Sequence, residues 1–203
     1  TGNLADTIPP MGVQPFGFFV DITGIVKAAV SIPVSAVGRI IDPEMAEGIL
    51  ESGKADMIGL GRALLADPDW INKAKAGKGC DIRRCISCNR GCTDNIQNRA
   101  FVACVLNAEN GYEETRSIIP AEINKSVVVI GGGPAGLEAA RVAAKKGHTV
   151  TLFEKQKRLG GQLNIADVPP RKREMHRAVQ DLVKAAGIEG VTIRLGQAAT
   201  ITS

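Results

Sequence analysis

A chain of 203 residues, 44% hydrophobic and 23% charged, is long enough for one large domain or two small ones and has an ordinary globular composition. Its net charge of +4 is spread along the chain and aromatics are only 3%, which argues against a nucleic-acid partner. The longest apolar runs, such as Val127 to Ile130, fall far short of the roughly 20 residues of a membrane span. Thr1 to Pro10 has neither the basic start nor the apolar core of a signal peptide. Five cysteines make no secreted disulfide framework, so a reducing cytoplasm is the expected compartment.

Thr1 to Phe19 is rich in glycine and proline and has no period. Apolar residues then recur at helical spacing from Phe18 to Val30, and Ile32 to Val37 reads as a buried strand suited to a parallel sheet. Asp42-Pro43 starts a helix that runs to about Ser52 and stops at Gly53. Asp56 to Leu60 is the next strand, and Asp67-Pro68 opens a helix ending near Gly77. This alternation predicts β/α units with parallel strands.

Each strand is followed by a glycine and an arginine, Gly38-Arg39 and Gly61-Arg62. Such a pair suits a phosphate, because glycine lets backbone amides approach and arginine adds a planar double donor. Turns with solvated arginines are the alternative. The whole run, from Ile32-Pro33-Val34 through Gly38-Arg39 and Asp42-Pro43 to Gly61-Arg62-Ala63-Leu64-Leu65-Ala66-Asp67-Pro68, resembles the old yellow enzyme family. The resemblance is to the last two βα units of that family's FMN-binding (β/α)8 barrel, with Ile8-Pro9-Pro10-Met11 similar to the loop before them. It implies FMN phosphate contacts near Gly38, Arg39, Gly61 and Arg62.

Cys85, Cys88, Cys92 and Cys104 follow with spacing Cys-x2-Cys-x3-Cys-x11-Cys. Thiolates at these intervals suit an iron–sulfur cluster, and spacing alone leaves zinc open. The residue types around them resemble the 4Fe-4S segment of the multidomain branch of the family, which includes 2,4-dienoyl-CoA reductase, enoate reductases and trimethylamine dehydrogenase. That resemblance implies a ligand role for all four and leaves Cys80 a free thiol. Asn107 to Pro120 is polar and broken and reads as a linker, with Tyr112 packed or solvated in it.

Ser126 to Ile130 is a buried strand, followed by Gly131-Gly132-Gly133-Pro134-Ala135-Gly136 and a helix through Ala144 that stops near Gly147. Thr149 to Phe153 is a second strand and Glu154 ends it. A glycine motif between strand and helix, with an acidic residue closing the next strand, is a strong dinucleotide fingerprint. Gly131 would make the turn, Gly133 would admit the pyrophosphate, Gly136 would let helix and sheet pack closely, and Glu154 would accept from the ribose. Gly161 and Gln162 in Leu159-Gly160-Gly161-Gln162-Leu163 resemble the segment lying along FAD in the flavin-disulfide-reductase fold, although trimethylamine dehydrogenase carries ADP there. Arg171 to Arg173 is a solvated basic run, Glu174 to Ala186 a helix and Val191 to Leu195 a third strand.

The expected fold class is therefore α/β: the last units of a TIM barrel over 1–78, a 4Fe-4S segment and linker over 79–120, and the start of a Rossmann-like FAD/NAD(P) domain over 121–203. The chain is read as a fragment, inactive by itself. By resemblance, NAD(P)H reduces FAD, electrons pass through the cluster to FMN, and FMN reduces an activated C=C bond in an enoyl or dienoyl thioester or an enoate. An amine dehydrogenase with ADP in place of FAD is a second reading, and a zinc-bound nucleotide-binding scaffold without catalysis a third. No catalytic acid or base is assigned, and His148 and His176 read as surface residues. Expected partners are the rest of the polypeptide or a complementing chain, and a second copy in a homo-oligomer.

Overall fold

The computed structural model describes residues 8–200, and the chain divides into two compact units, Thr1–Glu113 and Glu114–Ser203. The irregular start expected over Thr1 to Phe19 lies outside the described residues for its first seven positions.

The first unit opens with α1 (Val20–Ala29), β1 (Ser35–Ala36), α2 (Pro43–Glu51) and β2 (Met57–Ile58). β1 and β2 pair in parallel, Ser35 with Met57 and Ala36 with Ile58. The ladder is shorter than the apolar runs suggested, for local reasons. Pro33 has no amide to donate, and the amide of Val34 goes to the Asp56 carboxylate at 2.9 Å. Ile32 and Val37 are 69% and 45% exposed, so this run is not covered on both faces as expected. α2 starts as its sequence dictates: Asp42 accepts from the Met45 amide at 2.9 Å, Pro43 sits in the first turn, and Ser52 caps the end.

A short helix that was not expected, α3 (Arg62–Ala66), precedes Asp67-Pro68, and the helix expected after that pair is α4 (Trp70–Lys75). Asp67 ends α3, with its amide donating to Ala63 at 3.0 Å. Its carboxylate is 4% exposed and accepts from the Asp69 amide (3.1 Å), the Lys73 ammonium (2.6 Å) and the Arg83 amide (2.8 Å). A short 3-10 turn, Gly79–Asp81, and α5 (Thr93–Gln97) follow, neither of them expected. Ala36, Ile40, Ile49, Trp70 and Ile82 form the core of the unit, where each large apolar side chain contributes about 1.5–3 kcal/mol. The Trp70 indole N–H is satisfied by the Ile41 carbonyl at 3.3 Å.

α6 (Glu113–Arg116) spans the division between the units. The second unit is β3 (Ser126–Ile130), α7 (Pro134–Lys145), β4 (Thr149–Glu154), α8 (Leu163–Ala166), α9 (Glu174–Ile188) and β5 (Thr192–Leu195). Its sheet is parallel throughout in the order β3-β4-β5, each strand beside the one before it in sequence. α7 packs on β3, β4 and α9, enclosing Leu137, Ala140, Val150, Leu152, Ala186 and Val191. β3 is covered on one face only among the described residues, since Val128 and Ile130 are 55% and 75% exposed. This corrects the expectation of a buried strand. Among the described residues, no helix is long and apolar enough to cross a membrane.

The Asp67 carboxylate joins the start of α4, Lys73 within it and the segment at Arg83 through one buried group. Replacing it with alanine leaves a half-buried ammonium and two amides short of an acceptor. Asp67→Ala is expected to lower stability by about 2–3 kcal/mol in denaturant unfolding. An unchanged midpoint would show that the carboxylate is dispensable.

Candidate functional site

The four clustered cysteines line one small cavity of about 20 Å3, together with Arg62, Asn89 and Gly91. The close approach of two backbone segments brings them together. The Gly91 carbonyl accepts from the Ala103 amide at 2.7 Å, and a Cβ on Gly91 would lie 2.6 Å from the Ala103 carbonyl oxygen. Only glycine fits there, and this contact carries the Cys85–Cys92 loop to Cys104. Behind Cys104, the Asn107 side chain donates to the Leu65 carbonyl at 3.1 Å, and Arg83 donates to the Leu106 carbonyl. Asn107 and Asn110 are buried, so the start of the expected linker is part of the first unit. Cys80 is exposed and lies outside the cavity lining. Tyr112 is 39% exposed.

Burial pushes the Cys85 thiol above its ordinary pKa, opposed by the Ser87 amide and the Arg62 charge and reinforced by Cys104 and Cys88. Cys104 is raised in the same way, by burial first, with the Leu106 and Asn107 amides opposing and Cys88 and Cys92 adding to it. Negative charge on these sulfurs is thus mutually unfavourable until a cationic group shares it. Among the described residues, no group of three or more His, Cys, Asp or Glu side chains forms a site for a metal ion. The donor set is four thiols facing one cavity, which is the chemistry of a soft-metal group.

Gly38, Arg39, Gly61 and Arg62 line a larger cleft of about 440 Å3, with Ile8, Leu60, Cys85 and Ser87 also in its wall. The structure therefore brings both glycine–arginine pairs to one place. Their side chains differ in use. Arg39 is buried, donates to the Gln14 carbonyl and stacks over the Phe16 ring at 4.5 Å. Arg62 donates to the Pro9 carbonyl at 3.2 Å and to the Asn89 side-chain oxygen.

In the second unit the glycine loop joins β3 to α7 as the sequence predicts, with Gly133 capping the helix and Pro134 and Ala135 in its first turn. A Cβ on Gly136 would fall 1.9 Å from the Gly131 carbonyl oxygen, so helix and loop touch through bare backbone. The second glycine pair docks on the first: the Gly160 amide donates to the Gly132 carbonyl at 2.8 Å, and Gly161 lies against Gly133. Gln162 is exposed, just ahead of α8. Glu154 has a use that its sequence position did not reveal. One carboxylate oxygen accepts from the Gly132 amide at 2.7 Å and the other from the Gln156 amide at 2.8 Å. These two bonds, the Gln156 one first, hold its pKa below the usual carboxylate value. A carboxylate has about four acceptor positions, which leaves room for ribose hydroxyls as well. His148 accepts from the Lys125 amide at 3.3 Å, and His176 lies 3.4 Å from Asp167 with its side chain 57% exposed.

Sequence reasoning missed Ser87, Asn89 and Gly91. The signal available was one glycine between Arg90 and Cys92, whose need becomes visible only when Ala103 stands opposite.

Residues 4–80 match the NADH:flavin oxidoreductase / NADH oxidase family and residues 126–198 the FAD dependent oxidoreductase family. A bilirubin reductase of Mediterraneibacter gnavus is 60% identical over 98% of this chain and 31% of its own length. The solved 2-naphthoyl-CoA reductase in complex with 2-naphthoyl-CoA is 29% identical, with a TM-score of 0.89 over 94% of this chain and 29% of that one. Histamine dehydrogenase from Rhizobium sp. 4-9 is 28% identical, with a TM-score of 0.89 over 98% of this chain and 30% of that one. The chain thus spans less than a third of the proteins it resembles.

Gly91→Ala is expected to destabilise the first unit by about 1–3 kcal/mol, because a methyl group has to displace the Ala103 backbone. Equilibrium unfolding of the variant measures this, and wild-type stability would mean that the two segments separate freely. Since the Glu154 pKa is lowered on folding, its contribution is complete above the ordinary carboxylate pKa and is lost as pH falls through the folded value. Glu154→Gln should therefore flatten the acid limb of the stability profile; an identical limb in both proteins would refute this.

Proposed function

Because this chain belongs to the NADH:flavin oxidoreductase and old yellow enzyme family, in the branch that continues into an FAD-dependent oxidoreductase region, we propose that it is part of an NAD(P)H-dependent reductase of activated C=C bonds. In this reading residues 1–78 complete an FMN-binding barrel, 79–120 hold a 4Fe-4S cluster and 121–203 begin a Rossmann-like FAD domain. When bound, the flavins supply hydride exchange with NAD(P)H and substrate, and the cluster supplies one-electron relay between them.

The observation that carries the reading is that Cys85 belongs to the walls of both the cysteine cavity and the cleft lined by Gly38, Arg39, Gly61 and Arg62. A phosphate held in that cleft and a group held by the four thiols would be neighbours. The backbone at Gly38 and Gly61 admits the phosphate, and Arg62 supplies the fixed charge beside it. Cys85, Cys88, Cys92 and Cys104 are the four ligands. A four-iron cube takes one thiolate on each iron and so spaces its ligands more widely than a single ion does, which is compatible with four thiols around a cavity that make no single-ion site. In the second unit Gly131, Gly133 and Gly136 shape the loop for a pyrophosphate, Glu154 holds that loop and accepts from the ribose, and Gly161 and Gln162 lie beside it.

Reduction is favoured over amine oxidation by the 60% identity to a bilirubin reductase, against 41% to an N,N-dimethylglycine/sarcosine dehydrogenase. The substrate is then a conjugated C=C bond next to an electron-withdrawing group. The test uses the full-length protein. About four irons and four acid-labile sulfides per chain, with FMN, FAD and NAD(P)H-driven flavin reduction, are expected. Cys88→Ala is expected to lose the iron and keep the flavins. One zinc in place of iron would overturn the cluster. Bound ADP without reaction with NAD(P)H would favour the amine dehydrogenase.

A further inference from the structure

Arg62 lines both cavities of the first unit. Its Nη1 donates to the Pro9 carbonyl at 3.2 Å and to the Asn89 side-chain oxygen, and the Asn89 amide donates to the Ile8 carbonyl at 2.9 Å. Asn89 belongs to the cysteine loop, next to Cys88, and adopts the left-handed conformation at φ 61°. One guanidinium is thereby fixed to the loop that carries three of the thiols, in a residue that also lines the cleft.

Resting on the flavin and cluster reading above, we propose that Arg62 is a positioning residue shared by two anions, the phosphate of the flavin in the cleft and the cysteine-ligated cluster, with Asn89 setting where its charge sits. The charge is permanent, and the guanidinium fork has five N–H donors, more than Asn89 and Pro9 use. Each electron placed on a thiolate-bound cluster adds negative charge, so a nearby cation raises its reduction potential. A phosphate drawing on the same cation weakens that effect. Flavin binding and cluster reduction are then coupled, each altering the other to the same extent. No proton or bond is moved by Arg62.

The test is an EPR-monitored redox titration of the full-length holoenzyme, with FMN dissociation measured on the same preparations. Arg62→Gln should weaken FMN at least about tenfold and move the cluster's midpoint to a more negative potential. Arg62→Lys, which keeps the charge without the fork, should recover the midpoint more fully than the FMN affinity. Asn89→Gly, which tolerates the left-handed backbone but frees the guanidinium, should move both in the same direction as Arg62→Gln and by less.

A wild-type midpoint in Arg62→Gln with weakened FMN would reduce Arg62 to a phosphate ligand, and a shifted midpoint with unchanged FMN affinity would remove it from the cleft. Either result overturns the sharing. If Arg62→Gln fails to load iron, Asn89→Gly decides, and an unshifted midpoint there overturns the proposal. Wild-type protein lacking iron and labile sulfide would instead defeat the functional reading, and the proposal with it.

Discussion

The buried carboxylate of Asp67 is the constraint on which the first unit depends. The residue's own amide ends one helix on the Ala63 carbonyl, and its carboxylate turns the chain into the next and holds the Arg83 amide two residues before the first clustered cysteine. A carboxylate at 4% exposure is tolerable only because each partner is in place, and this is what makes it directive. The helix that ends there begins with Arg62, so the cleft and the cysteine segment are placed by the same group. Arg83 adds a second tie through the Leu106 carbonyl, and Asn107 a third through that of Leu65.

The second unit is governed by backbone contact rather than by charge. Gly136 against Gly131 is an approach that any side chain would block, and Gly161, in left-handed backbone at φ 51°, lies tight against Gly133. Glu154 ties the same loop to the turn after β4, accepting from the Gly132 and Gln156 amides. A glycine loop is entropically expensive to order, and here three neighbouring segments of chain share the task. Binding of a nucleotide would then meet a loop that is already shaped.

Much of this was readable from the sequence where a local rule dominates. The Asp42-Pro43 helix start, the strand–glycine–helix order from Ser126 to Lys145 and the parallel pairing of the strands among the described residues follow from capping, period and topology. Where a distant partner decides, the reading fell short. The ladder at Ser35–Ala36 is brief because Asp56 takes the Val34 amide, and the helix expected from Asp67 starts only at Trp70, with the Asp67 carboxylate bonded to the Asp69 and Arg83 amides. The cysteine spacing predicted a common focus for the thiols. It did not identify Gly91, whose role exists only opposite Ala103. Nor did it show that Arg62 bonds to Asn89, 27 residues away.

Ser87 and Asn89 both adopt left-handed backbone, at φ 52° and 61°, although neither is glycine. Each such residue costs about 1–2 kcal/mol, less for asparagine. The loop bends at these two residues, and the Ser87 amide donates to the Cys85 sulfur, 3.3 Å away. The two-residue interval between Cys85 and Cys88 is then a matter of handedness as much as of reach. A chain with one residue more or fewer would still bring two sulfurs near each other, but it would move the Ser87 amide off the Cys85 sulfur. The loop is in this sense a socket cast in main chain, with its curvature set by two side-chain-bearing residues in a glycine's conformation.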